Sequence, residues 1–437
     1  MRPGVPHDER PRGLLRELVG AVISSVDAGP ATRRALALEP ISPGPVIALG
    51  KAGAAMAAAV AETDPERAGS CLVVVPRGTP LPHVLRVGRV IEADHPLPTE
   101  RSVRAGESVR AAIAEARARS APAVTLLVSG GASALACLPA GGLEAGEVAA
   151  VARALLRAGC PIGELNTVRK HVDLLKGGGV ARLAWPVPVT SLVLSDVVGD
   201  DPATVGSGPG VPDPTTYQDA LSVLDRYSCR GVAPGVDAHL VRGAAGMLPE
   251  TLKPGAPAAR AARVRLVASN DTAVEAACAW LATRGVRLES VRRGVTGEAR
   301  RVGARLAADV RAAADDPAPA EIGGAWVLGG ESTVTVRGSG RGGRNQELAL
   351  AAALRLDGVP GAGVLALATD GVDSTPEAAG AIVTGRTAAA ARAAGIDLAA
   401  ALHENDSGSA LGRLGCLVRT GPTGTNVCDL AVGLLIG

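Results

Sequence analysis

The chain is punctuated by short apolar runs: PVIALG, CLVVVP, AVTLLVSGG, TSLVLSDVVG, RVRLVAS, GAWVLGG, TVTV, VLALATDG and CLVRTG, separated by long Ala/Arg/Glu stretches with helical spacing. Most carry four to six residues and are apolar throughout. Strands of that kind have both faces covered, as in a parallel sheet packed between helices. Several end in a glycine turn that opens a helix, so the repeat is strand, turn, helix, and the fold class is α/β built from crossover units. A length of 437 residues favours more than one domain. The pattern breaks between about 229 and 262 into a Gly/Pro/Ala-rich stretch. The expected division is therefore a domain over 1–235, a linker over 236–262 and a second α/β domain over 263–437, with ADDPAPAEIGG near 315–324 a loop inside the latter.

The balance of 45 basic and 43 acidic residues leaves a formal charge of +2, which gives no field to recruit nucleic acid or an anionic membrane. No apolar stretch reaches the ~20 residues of a membrane-spanning helix, and LLRELVGAVISSV has helical spacing with internal charges where a signal peptide would have an apolar core. The seven cysteines include no C-x-x-C pair, which fits a reduced, cytoplasmic protein. Lysine is confined to positions 51, 170, 176 and 253, so each lysine is informative.

Chemistry-bearing residues gather where runs end. Lys51 follows PVIALG at the opening of a helix, where an ammonium and free backbone N–H groups can meet a phosphate or carboxylate; Pro45 and Ala52 exclude a Walker loop. Ser129, Gly130, Gly131 and Ser133 form a second anion-holding turn between strand and helix, against the alternative of a plain tight turn. LNTVRKHVDLLKGGG reads as a solvated charged face, with His171 a surface residue. Asp196 ends SLVLSD, where open α/β sheets bind ligands, and with Asp200 it offers hard oxygens suited to Mg²⁺; capping is the alternative for Asp200 and Asp201. GSGRGGRNQE has the G-x-G-x-x-G spacing at Gly338, Gly340 and Gly343, between an apparent strand TVTV and a helix. Yet Arg341 and Arg344 intrude, and the ribose-binding acid expected about 20 residues on is missing. Arginine forks match phosphate or carboxylate oxygens, so this loop, with Gly340 and Asn345, reads as a holder of concentrated negative charge. Asp370 and Asp373 follow VLALAT, and Thr423, Thr425 and Asn426 lie in a glycine-rich turn; turns favour these residue types in any case.

Together VRKHVDLLKGG, LSDVVGDDPATVGSGPGVPDPTT, GGESTVTVRGSGRGGRNQELALAAAL and TGPTGTNVCDL resemble the class II glycerate 2-kinase family, from about residue 45 to the C-terminus. The resemblance implies a Rossmann-like N-terminal domain with a largely parallel sheet, a smaller C-terminal α/β domain containing the MOFRL region (about 323–432), and an active site in the cleft between them. It further implies ATP and Mg²⁺, with D-glycerate phosphorylated at its C2 hydroxyl. The family's cleft lysine matches Lys51 and its cleft arginine matches Arg344. Position and chemistry add Asp196 as catalytic and metal-binding, Asp200 as metal-binding, and Ser129, Gly130, Gly131, Ser133, Glu331, Gly340, Asn345 and Asp370 as nucleotide-binding. A homodimer stays open as the assembly. The chain departs from the family after Asn405, Asp406 and Ser407, where GSALGRL replaces a Tyr and paired Phe; Cys416 replaces Asp, Cys428 replaces Asn, and VVVPRGTP lacks Lys-Tyr-Gly-His. Nicotinamide-dependent reduction of hydroxypyruvate is the competing activity, and silent binding of a phosphorylated acid a third reading.

Overall fold

The computed structural model describes residues 10–315, 323–374 and 377–437. Most of the expected loop at 315–324 lies outside them. The chain forms two compact units, one of Ala28–Val197 with Asp201–Ala268, the other of the N-terminal segment to Asp27, Val198–Asp200 and Ser269–Gly437.

The first unit carries a sheet of β1 (Val46–Leu49), β2 (Cys71–Pro76), β3 (Arg89–Ala93), β4 (Val124–Val128), β5 (Val189–Leu194) and β6 (Ala262–Ala268). Its order is β3-β2-β1-β4-β5-β6 and every pairing is parallel. The apolar runs explain this: all of β1 and β4 is buried, and alternate residues Ile47, Leu49, Leu126 and Val128 pack with Val109 and Ile113 of the helix Glu100–Ala118. Helices Ala145–Arg157, Ile162–His171, Tyr217–Arg226 and Pro234–Ala244 build a second apolar cluster around Leu155, Leu165, Leu224 and Leu240. The Gly/Pro-rich stretch 236–262 thus contains helix, and the strand after it, β6, pairs with β5. Main-chain pairing outweighs the linker-like composition there.

The second unit carries β7 (Arg287–Val295), β8 (Gly324–Gly330), β9 (Ala362–Ala368), β10 (Gly380–Thr384), β11 (Leu417–Val418) and β12 (Asp429–Leu435), in the order β11-β10-β9-β12-β8-β7. Only β7–β8 is parallel; β12 runs antiparallel between β8 and β9. The expectation of parallel strands fails for this sheet because burial of both faces does not report strand direction. The helix Arg10–Val26 supplies Leu15 and Pro11 against Gly363 on one face, while Leu306 and Val310 of the helix Ala299–Ala314 meet Gly433 on the other. TVTV is not a strand: Thr333 donates to Gly297 O and accepts from Ala299 N, a bridge to one turn with no sheet partner. No described helix is long and apolar enough to cross a membrane.

Candidate active site

In the first sheet the winding reverses between β1 and β4, since β2 and β3 lie to one side and β5 and β6 to the other. Loops leaving the two central strands diverge there and leave a crevice at their C-terminal ends, the usual ligand position in such sheets. Lys51 leaves β1 at that point and is exposed. Its N–H donates to Gly130 O at 2.9 Å, and Ala52 N–H donates to Ser129 Oγ at 3.1 Å. These bonds tie the β1 loop to the β4 turn. They also occupy the Ser129 hydroxyl as an acceptor inside the fold, so Ser129 positions the turn. Gly131 adopts φ +84°, which favours glycine, and a Cβ there would sit 3.1 Å from His95 Cδ2 and 3.4 Å from Lys51 Cγ.

Asp196, two residues beyond β5, lies against the same turn: a Cβ on Gly130 would be 2.0 Å from its Oδ2. Ser133 Oγ is 3.0 Å from Ser207 Oγ, which donates to Asn166 Oδ1 at 2.9 Å. Lys51, the Ser129–Ser133 turn and Asp196 therefore come together within one unit. Two further residues join them. Burial, then the charges of Lys51 and Arg169, holds the His95 imidazole below its ordinary range, so it is neutral at pH 7. Sequence reasoning passed over His95 because it follows the edge strand β3, whose RVIEA alternates charge and apolarity; the HPLP turn was the available signal.

Arg169 belongs to the stretch expected to be a solvated face, and that expectation is wrong. Lys170, His171 and Lys176 are 9%, 2% and 5% exposed. Lys170 Nζ pairs with Asp213 at 3.3 Å and Lys176 with Asp173. Asp173 belongs to the run, but Asp213, which neutralises Lys170, is supplied by chain folded onto it, which helical spacing does not reveal.

Asp201 caps its own turn, accepting from Ala203 N and Thr204 Oγ1. Asp200 grouped instead with the second unit, has φ +53°, and its Oδ1 is buried with no hydrogen-bond partner. Among the described residues no group of three or more His, Cys, Asp or Glu is arranged to hold a metal. Such a site suits Mg²⁺ only in the form that uses one or two carboxylates with water and substrate phosphates.

In the second unit, Arg344 opens the helix Arg344–Leu356. Its guanidinium grips Asp429 in a fork, with Nη2 to Oδ1 at 2.9 Å, and meets Glu331 Oε1 at 3.0 Å. Burial works against the Arg344 charge, but Asp429, then Glu331 and Asp373, outweigh it and hold the group charged. Burial likewise pushes the Asp429 carboxyl up, to about 6, with Arg344 pulling the other way. Asp429 had not been singled out; it sits at the start of β12, a strand hidden in a glycine-rich stretch. Asp373 caps the helix, accepting from Asn345 N at 3.1 Å and Gln346 N at 2.8 Å. Asn345 is 1% exposed and its Oδ1 has no partner. Asp370 accepts from Val372 N in an Asx turn. Thr423 and Thr425 donate to the carbonyls of Thr369 and Val26, and Asn426 accepts from Cys428 N, so that turn braces the unit itself.

The glycine loop does not have dinucleotide geometry. No strand precedes it, and Gly340 N–H is already donated to Glu404 O at 3.0 Å, which removes Gly340 as a phosphate donor. A Cβ on Gly338 or Gly340 would meet Glu404 or Asp406, and one on Gly343 would meet Asp373. Asn405 Oδ1 accepts from Arg337 N and Gly338 N, and Asp406 Oδ1 from Arg341 N. These glycines let the loop lie flat on its own unit.

Residues 14–241 match the domain of unknown function DUF4147, and residues 324–429 match the MOFRL family. The glycerate 2-kinase of Pyrococcus horikoshii is 37% identical over 89% of this chain and 87% of its own length. The D-glycerate 2-kinase of Thermotoga maritima is 37% identical over 79% of this chain and 80% of its own. The chain belongs to the class II glycerate 2-kinase family. The crystal structure of Thermotoga maritima glycerate kinase superposes with a TM-score of 0.86 at 33% identity, covering 98% of this chain and all of the other. A relative from Agrobacterium vitis, 39% identical over 99% of this chain and 96% of its own length, carries a provisional hydroxypyruvate reductase name. Both kinds of name thus occur beside one another in this glycerate kinase family.

Proposed function

We propose that this chain is an ATP-dependent kinase that moves the γ-phosphoryl group to the C2 hydroxyl of D-glycerate, giving 2-phosphoglycerate and ADP. The observation that carries the reading is the crevice at the ends of β1 and β4, where Lys51 and Arg169 supply positive charge beside a glycine turn and Asp196. Phosphoryl transfer asks a protein chiefly for alignment and for charge around the moving group. The glycerate kinase names among relatives support the same assignment. The reductase reading is disfavoured, because the one G-x-G-x-x-G stretch is folded onto its own unit.

Lys51 and Arg169 neutralise phosphate oxygens, and the Gly130–Gly131 turn holds them. Neutral His95 can accept the proton of the acceptor hydroxyl. Asp196 is the carboxylate of this crevice that would hold Mg²⁺, and in the second unit the orphaned Oδ1 of Asp200 is an oxygen that fits a hard cation. When bound, the ion supplies charge neutralisation to the nucleotide's phosphates. In the second unit we assign the anion-binding role to Arg344, held by Asp429 and Glu331, together with Asn345. The test is incubation with Mg-ATP and D-glycerate and phosphorus NMR of the product. A 2-phosphoester is expected; a 3-phosphoester, or no ester and NADH oxidation by hydroxypyruvate instead, would overturn the proposal.

A further inference from the structure

The helical layer of the first unit holds another cavity, of about 210 Å³, lined in part by Lys170, Lys176, Arg182, Tyr217, His239 and Arg242. Helix Ile162–His171 serves both places. Asn166 and Arg169 face the crevice network, whereas Lys170 and His171 line the cavity. An ammonium has three N–H donors. Lys170 and Lys176 each have one hydrogen-bond partner among the described residues, Asp213 and Asp173. Two N–H groups on each of two nearly buried lysines are thus left for whatever fills the space.

The charges do not balance. Lys170, Lys176, Arg182, Arg242 and Lys253 stand against Asp173, Asp213 and Glu250, the last shared by Lys253 at 3.2 Å and His171 at 3.2 Å. Both His171 nitrogens face oxygens, Thr167 O at 2.8 Å and Glu250 Oε2, which adds no negative charge to the lining. The buried lysines each have one carboxylate, so the surplus positive charge lies on the part-exposed Arg182 and Lys253 and the exposed Arg242, where an entering anion can meet it. Arg242, exposed at the mouth, offers a fork to an entering anion.

We propose that this cavity is a second anion site, distinct from the phosphoryl-transfer crevice, and that it binds a small dianionic phosphate, free or as a monoester. Lysine point charges inside and arginine at the rim suit a PO₃ head group with several oxygens.

The test uses the full chain carrying Lys51→Ala, which weakens anion binding in the crevice, titrated with inorganic phosphate at constant ionic strength. Thermal melts should show a saturable rise of about 1.5–3 °C at about tenfold excess over Kd. Adding Arg242→Glu, a change at an exposed position, should weaken the apparent Kd at least tenfold. Repeating the titration with glycerol 3-phosphate separates the sources: tighter binding assigns the site to an ester, equal binding to the phosphate head alone. No saturable rise, or the same Kd with Arg242→Glu, would overturn the proposal.

Discussion

Replacing Gly130 by alanine tests the crevice at its tightest point. Its new Cβ would lie 2.0 Å from Asp196 Oδ2 and 2.7 Å from Cγ, where real Cβ contacts stay beyond 3.0 Å. The obstacle is the end of a side chain, so the carboxylate retreats by at least the 1.0 Å difference while the backbone, whose φ at Gly130 is not positive, stays in place. Displacements near 1 Å at a reacting centre cost on the order of 100-fold in rate, or about 2.7 kcal/mol of barrier. Stability should hardly change. Forcing Asp196 off its rotamer costs about 0.5–1.5 kcal/mol, and replacing glycine by alanine returns about 0.4–1 kcal/mol through the unfolded chain. The assay pairs kcat/KM for ATP and D-glycerate with a thermal melt. A Gly130→Ala protein that melts normally and turns over at the wild-type rate would refute the claim that Asp196 acts from this position.

Lys51→Ala should lower kcat ~10³-fold with an unchanged melt, because Lys51 is exposed; Arg344→Ala should lose activity and also on the order of 3 kcal/mol of stability, since it strands buried Asp429, and denaturant melts separate the two. Cys428 holds φ +64° where asparagine is better tolerated, so Cys428→Asn should stabilise by about 1 kcal/mol, read as a Tm rise of about 2–4 °C. Burial raises the Asp213 pKa, but Lys170, Thr215 and Thr251 outweigh it and hold the carboxyl below its ordinary 3.8. Its contribution is therefore present above pH 3.8 and is lost as pH falls toward the depressed value. Asp213→Asn should cost about 3–5 kcal/mol at pH 7, and urea melts should show the gap to wild type closing below about pH 4.

The crevice could be anticipated because its parts sit where apolar runs stop, at Lys51, Ser129 and Asp196, and a covered parallel strand must deliver its next residues to the sheet edge. Direction in the second sheet was hidden: β9 is as apolar as β1, yet antiparallel to both its neighbours. The roles of the glycine loop and of Lys170 were hidden for a related reason. Both are decided by partners far along the chain, Glu404 to Asp406 in one case and Asp213 in the other, and local spacing carries no trace of them. His95 was missed because an edge strand need not be apolar.

The helix Arg10–Val26 rests on β9, β10 and β12, and Thr425 closes onto its last residue through Val26 O. During synthesis this helix consequently waits for partners made long after it, the helix Asn270–Ala282, then β9 and β10, then β12. Until then Leu15, Leu18 and Val22 form an uncovered greasy ridge, a natural target for a holding chaperone, and an isolated C-terminal fragment would expose the matching face of its sheet.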